Sequence, residues 1–348
     1  MELNELKPVY AHEGPFATVY LEGRSPGEDA AKQIRLRWGT LRERLEAEHA
    51  QSAALDAAER ALTRAERGEE QANGRVLVTS ATDGVVLDSP WDAAMGTGDD
   101  AHWSMLPELG AFVREAAHAV RVLLVVAGQE EAELRRLVVA QEHAPAELAR
   151  EAVSGSAVER PHHIREGALA HRRIQRRADE AVDQNARDIA QAVDRAMAAL
   201  HPDVLILAGP VQGRTAVREQ LSSGPAGILV ETDRGGLGRS GAEEALTEEV
   251  LRIAGEHSAE AARHAAARVD EGLAYQRAVR GDPDVLKAAE TGALDTLVFE
   301  DGTQATGEAL LLKSAAETDA SFALAPAGTE YPDGVGGVLR YAPTGPRG

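Results

Sequence analysis

The chain has 348 residues, no cysteine, and 37 Lys and Arg against 57 Asp and Glu, a formal net charge of −20. That length exceeds what one core usually organises, so two or three domains of roughly 100–150 residues are expected, and the missing thiols exclude disulfide scaffolds, thiolate nucleophiles and iron–sulfur clusters. A chain this acidic repels polyanions through its global field, so any contact with one must be local.

No basic N-terminal region followed by an apolar run is present, and the longest apolar stretches are strand-sized, so a cytoplasmic protein with no membrane partner is expected. Residues 16–21 read as a strand. The turn-rich Gly23-Arg-Ser-Pro-Gly27 then hands over to residues 28–68, where Ile34, Trp38, Leu41 and Leu45, then Leu55, Ala58 and Leu62, fall at helical spacing and predict a helical hairpin. Residues 75–79 and 85–87, separated by Ala81-Thr-Asp-Gly84, predict a β-hairpin. A Gly- and Asp-rich loop follows near residues 95–100.

The middle third opens on Arg121-Val-Leu-Leu-Val-Val126, a run of buried-strand type, and closes on two more strand-like runs, Val204-Leu-Ile-Leu-Ala208 and Ile228-Leu-Val-Glu-Thr232. One long helix over 167–200 is predicted between them, stopped by His201-Pro202. The last third predicts helices over 258–280 and 283–291, a strand over 296–300, a helix over 307–316, and strands over 321–324 and near the end. The expected fold class is α/β, with three domains, 1–119, 120–254 and 255–348, each a mixed sheet flanked by helices. Counting Lys and Arg minus Asp and Glu over these stretches gives 12 − 21 = −9, 17 − 21 = −4 and 8 − 15 = −7, so the middle stretch is the least acidic.

Gly236-Leu-Gly238-Arg-Ser-Gly241 matches the dinucleotide fingerprint, but helices follow it where a second strand with a ribose-binding acid should stand, so it reads as a connecting loop. His162, His163 and His171, with Glu159 and Glu166, lack the spacing of metal ligands on a helix face. Neither a Gly-x-Ser-x-Gly elbow nor a Walker A loop occurs. No metal or other cofactor is expected.

Arg160-Pro-His-His-Ile-Arg-Glu-Gly-Ala-Leu-Ala-His-Arg-Arg-Ile-Gln-Arg-Arg177 differs in kind, with six arginines against one acid. On a helix, Arg172 and Arg176, like Arg173 and Arg177, lie one turn apart, so four guanidinium groups can follow a phosphate backbone while Leu169 and Ile174 face a sheet. RNA is the natural partner of such a patch. The alternative is an ordinary solvated face, with these arginines paired to Glu166, Asp179, Glu180 and Asp183.

Two ordered motifs near the end of the chain, Asp284-Val-Leu-Lys-Ala-Ala-Glu-Thr-Gly-Ala-Leu-Asp-Thr-Leu-Val-Phe299 and Gly334-Val-Gly-Gly-Val-Leu-Arg-Tyr341, resemble the C-terminal domain of archaeal and eukaryotic class 1 release factors and Pelota. The middle third is similar to that family's central domain: a strand, a loop, a long helix with an Arg-rich start, and a strand ending in Leu207-Ala-Gly209. Val19-Tyr-Leu-Glu22 and Arg35-Leu-Arg-Trp38 resemble the N-terminal domain of its bacterial branch. The chain lacks the Asn-Ile-Lys-Ser motif by which release factors read stop codons.

Hydrolysing members of the family carry Gly-Gly-Gln ahead of the long helix, where the Gln positions water at the peptidyl-tRNA ester. Here Arg165-Glu-Gly-Ala-Leu-Ala-His171 offers the single glycine Gly167 and no Gln; Gln175 falls inside the helix, and Gly128-Gln129 follows the domain's first strand. Glu166 would meet rRNA phosphates with repulsion. Within the bacterial branch this combination resembles the Balon family of ribosome hibernation factors.

The resemblance implies a binder with no catalytic residues, occupying the A site of an inactive 70S ribosome, touching rRNA of both subunits, with elongation factor Tu alongside and no DNA partner. The expected RNA contacts are His162, His163, Arg165, Gly167, His171, Arg172, Arg173, Arg176 and Arg177. The enzyme alternative is a peptidyl-tRNA hydrolase with a divergent loop and His163 or His171 as base.

Overall fold

The computed structural model describes residues 1–22, 30–63, 74–91, 98–128, 130–140, 145–154, 168–235 and 241–342, with the backbone alone described for 30–31, 90–91 and 168–179. In chain order the elements are a 3-10 turn (Leu3–Leu6), α1 (Lys7–Tyr10), β1 (Phe16–Leu21), α2 (Ala30–Ala47), α3 (Ser52–Thr63), β2 (Gly74–Ser80), β3 (Gly84–Trp91), β4 (Asp100–Ser104), α4 (Gly110–His118), β5 (Val120–Ala127), β6 (Glu131–Val139), β7 (Ala146–Ser154) and α5 (Ala168–Leu200). Then come β8 (Val204–Ala208), α6 (Val211–Gln220), α7 (Ser223–Ala226), β9 (Leu229–Thr232), α8 (Ala242–Ala274), β10 (Ala278–Arg280), α9 (Asp282–Glu290), β11 (Leu294–Glu300), α10 (Glu308–Glu317), β12 (Ser321–Ala325), a 3-10 turn (Pro332–Gly334) and β13 (Val335–Leu339).

Three sheets flanked by helices result, with orders β3-β2-β1-β4, β7-β6-β5-β8-β9 and β10-β13-β11-β12. One lies within each of the stretches 1–119, 120–254 and 255–348. The compact units are two: Met1–His118 together with Ala259–Gly348, and Ala119–Ser258.

In the first unit every residue of β1 is buried, because both faces of its sheet are covered. Ala17, Val19 and Leu21 point to one side, against Trp38, Leu41, Leu45, Leu55 and Leu62 of the α2–α3 hairpin. Phe16 and Tyr20 point to the other and join a core shared with Leu297, Phe299, Leu311, Leu312 and Phe322. This period-2 split lets one strand serve two cores. All pairings in this sheet are antiparallel, and the short turn between β2 and β3 requires it for that pair.

The first residues of the chain close onto the C-terminal sheet. Glu2 bridges Ser321 at its β12 edge, the Leu3 N–H donates to the Ala320 carbonyl at 3.2 Å, and Leu3 and Leu6 are buried in the shared core. From α4, Arg114 pairs with Glu308 at 2.6 Å and stacks its guanidinium 4.8 Å from the Phe299 ring centroid. Phe299 in turn meets Phe322 edge-on at 5.2 Å. In β13, a Cβ at Gly337 would lie 2.5 Å from Leu294 Cδ1, which explains a glycine there by close approach.

The second unit is a mixed five-stranded sheet: β5 pairs antiparallel with β6 and parallel with β8, and the β6–β7 pair is antiparallel. Odd-numbered residues of β5, Leu123 and Val125, face α5; even-numbered Val122, Leu124 and Val126 face Leu246, Val250, Ile253 and Ala254 of α8. Three expectations are corrected. The stretch between β5 and α5 holds the antiparallel pair β6–β7, the helix expected over 258–280 begins at Ala242, and residues 278–280 form β10 instead of helix. Among the described residues no helix is long and apolar enough to cross a membrane.

Candidate nucleic-acid interface

α5 is built to be held along one side. Ile189, Ala192, Val193, Ala196 and Leu200 are buried against Leu123, Val125, Leu134, Leu205 and Leu207 of the sheet, at helical spacing. Glu180, Asp183, Arg187, Gln191, Asp194 and Arg195 are exposed on the opposite side. The helix stops at His201, whose φ of 48° is left-handed and whose N–H donates to the Met197 carbonyl at 2.9 Å; Pro202 prevents continuation.

The expected RNA-contact residues divide in two. His162, His163, Arg165 and Gly167 lie outside the described residues, as does Glu166. His171, Arg172, Arg173, Arg176 and Arg177 lie in the first turns of α5, where the backbone is helical. At about 1.5 Å rise per residue, positions 172 to 177 span about 7.5 Å, close to the repeat of a nucleic-acid backbone.

Register extends the row. Positions 173, 177, 180, 184, 187, 191 and 195 step by three or four and so share one helix face. Arg187 and Arg195, both exposed, therefore continue the line of positions 173 and 177. Sequence reasoning stopped at Arg177 and missed them; the signal was the same three-four spacing carried about three to five turns further. Arg187 donates to Gln184 Oε1 at 3.1 Å, and Arg195 stands 4.0 Å from Glu151.

Elsewhere in this unit six of the described arginines are partnered. Arg121 is 3.5 Å from Asp203, Arg214 and Arg218 share Glu231 at 3.2 and 2.8 Å, and Arg252 bonds Glu249 and Glu256, both at 2.7 Å. Arg150 bonds Glu147 at 2.8 Å. Arg135 is the most enclosed of them: it holds Glu243 with two guanidinium nitrogens and Glu133 with a third, tying the start of α8 to β6. Those bonds push the guanidinium further up and, through Arg135, hold the Glu243 carboxyl below its usual range. These arginines are committed to structure. Segment 160–177, with six arginines and one acid, has no such supply of carboxylates within itself.

Helix electrostatics point the same way. α5 has no acid in its first turn and no base in its last, whereas α8 opens with Glu243 and Glu244, the sign its dipole favours. The arginines of α5 are thus not placed where a helix dipole favours cations. Among the described residues no cluster of three His, Asp or Glu side chains forms that could hold a metal ion.

Residues 121–275, under half of the chain, match the family described as bacterial archaeo-eukaryotic release factor family 2. The matched stretch runs from β5 to the end of α8. No curated protein matches the chain. Among solved structures it is similar to an archaeal translation termination factor, at 18% identity over 97% of this chain and 96% of that one with a TM-score of 0.26. S. cerevisiae Dom34, a translation termination-like factor of RNA quality control, shares 13% identity over 78% and 81% of the two chains with a TM-score of 0.44. Archaeoglobus fulgidus Pelota shares 13% over 99% and 93%, with a TM-score of 0.32.

Proposed function

We propose that this protein is a ribosome-binding hibernation factor of the cytoplasm that occupies the A site of inactive ribosomes through the Arg-rich start of α5. The observation that carries the reading is the charge of residues 160–177, six arginines against one acid, leading into a helix whose later turns pack one side against a sheet. A rigid helix projecting a row of guanidinium groups is suited to a phosphate backbone, and each group can neutralise one phosphate with release of a counterion. The family match supports a translation-related role because it covers this segment. The sequence ahead of α5, with Gly167 and Glu166 but no Gln, supports binding without peptide release. On this reading the 120–254 stretch reaches the large subunit, 1–119 lies toward the decoding centre, and elongation factor Tu is the protein partner.

The test is co-sedimentation with purified inactive 70S ribosomes. Wild-type protein pellets with them, and a variant carrying Arg172→Glu, Arg173→Glu, Arg176→Glu and Arg177→Glu stays in the supernatant. Undiminished pelleting of that variant removes the core of the proposal. Release of peptide from a stalled ribosome complex by the wild-type protein would replace the binder with a hydrolase.

A further inference from the structure

The first unit carries a cleft that the α5 reading does not use. It has a volume of about 510 Å³ and is formed where the end of α8 meets β10, the start of β11 and the end of β13. Arg268 and Glu271 line it from α8, Tyr275 and Arg277 from the following turn, Asp295 from β11, and Arg340 from the residue after β13. A volume of this size matches a small organic ligand, and three guanidinium groups around it select an anionic one.

The local chain geometry sets the lining. α8 ends in a Schellman motif: the Arg277 N–H donates to the Gly272 carbonyl, the Gln276 N–H to the Leu273 carbonyl, and Gln276 takes the left-handed φ of 57°. A Cβ at Gly272 would fall 2.7 Å from Ala278 Cβ, so glycine permits the close approach that brings β10 against the helix. The result leaves Tyr275 69% exposed in a chain with only 12 aromatic residues, Trp 3, Tyr 5 and Phe 4.

The guanidinium groups are not equivalent. Arg340 is fixed by donating to the carbonyls of Gly292, Thr318 and Asp319 at 3.0, 2.8 and 2.7 Å, and Arg268 is held by Asp295 at 3.0 Å. Arg277 is exposed, and its side chain makes no hydrogen bond or ion pair with any described residue. Among the described residues of the cleft, a free cation therefore shares the lining with two anchored ones and an exposed aromatic ring. Glu271 lies four residues before Tyr275 and lines the same cleft. A purely anionic partner such as an acidic peptide would meet that carboxylate with repulsion. A nucleotide suits the mixed lining, because it joins an anionic phosphate to a flat base whose amino edge can donate to a carboxylate.

We infer that this cleft takes one unstacked nucleotide of an RNA strand, with the base on Tyr275, the phosphate at Arg277, and Glu271 accepting from the base edge. The choice of RNA as partner rests on the function proposed above; the site itself does not involve α5. Exposed Tyr–base stacking is sequence-tolerant, and removing such a ring lowers affinity by about tenfold or more.

Because the two sites are separate, the test removes α5 from the readout. In full-length protein with Arg172, Arg173, Arg176 and Arg177 all changed to Ala, binding of a fluorescent single-stranded RNA of about ten nucleotides is followed by anisotropy. The expected result is measurable binding that Tyr275→Ala and Arg277→Glu each weaken about tenfold while Tyr275→Phe retains it. Both side chains are exposed, and circular dichroism confirms that each variant is folded. Binding indifferent to Tyr275→Ala, absence of binding, a nucleoside monophosphate bound as tightly as the strand, or an acidic peptide displacing it would each overturn the inference. Ribosome pelleting of wild-type protein separates this outcome from failure of the wider reading.

Discussion

α5 and α8 are the same length, 33 residues each, and use their charge in opposite ways. α8 begins with Glu243 and Glu244 at the end where a helix dipole favours anions, and Glu243 is spent on Arg135. Its apolar residues serve stability throughout: Leu246, Val250 and Ile253 pack in the middle unit, Ala265 and Val269 in the other. α5 places four arginines in its early turns with no acid in the first, and its residues Ile189 to Leu200 pack against the sheet. A helix under selection for stability alone has little reason for that order. The difference separates a structural helix from one that carries a contact surface on a structural base.

The sharpest way to break this contrast is to attack the base. Ile189→Ala empties a fully buried position between α5 and the sheet and is expected to cost about 2–4 kcal/mol, read as a lowered denaturation midpoint of the middle unit. A cost below about 0.5 kcal/mol would show that the helix is not anchored as described.

Next comes the structural charge of α8. Arg135→Gln removes the shared partner of Glu133 and Glu243, with an expected loss of about 1–2 kcal/mol, discounted because Glu243 is substantially exposed. It also changes the pH response. The folded state holds the Glu243 carboxyl below its ordinary value, so the pair's contribution is complete above the unfolded value of 4.5 and is lost as pH falls through the depressed folded one. Wild-type stability should therefore drop in that acidic window, and the variant should lack this part of the drop. Equal slopes would mean the pair is not coupled to folding.

At the smallest scale, Gln276→Gly relieves a left-handed conformation at the end of α8 and should stabilise the first unit by about 0.5–1 kcal/mol, measured by chemical denaturation. Destabilisation would contradict the Schellman assignment. Replacing the four early arginines of α5 by Ala is expected to change stability by less than about 0.5 kcal/mol, because arginine and alanine are both strong helix formers.

The sequence was legible where a local pattern coincided with burial. The α2–α3 hairpin, the β2–β3 pair and the Val-Leu-rich β5, β8 and β11 all follow from spacing that a buried face imposes. It was illegible where tertiary context overrode propensity. β7, Ala-Glu-Leu-Ala-Arg-Glu-Ala-Val-Ser, is composed of helix formers and is exposed along most of its length, so no period of two marks it; only pairing with β6 makes it a strand. The attachment of Leu3 and Leu6 to the core around Phe322 joins residues more than three hundred positions apart and leaves no local trace. The α5 patch was legible because six arginines in an acidic chain form a compositional signal, while Arg187 and Arg195 were hidden among buried alanines. Tyr275 and Arg277 were hidden for another reason: a turn after a helix, not a motif, brings them beside Arg340.

The central claim is that the early arginines of α5 neutralise phosphates. It is tested most directly by the salt dependence of ribosome affinity. For wild-type protein the logarithm of the binding constant should fall linearly with the logarithm of salt concentration. In the variant with Arg172, Arg173, Arg176 and Arg177 changed to Ala, that slope should be shallower by about 3, near 0.7–0.9 for each phosphate left without its guanidinium. An unchanged slope would contradict the account, whatever the affinity of the variant.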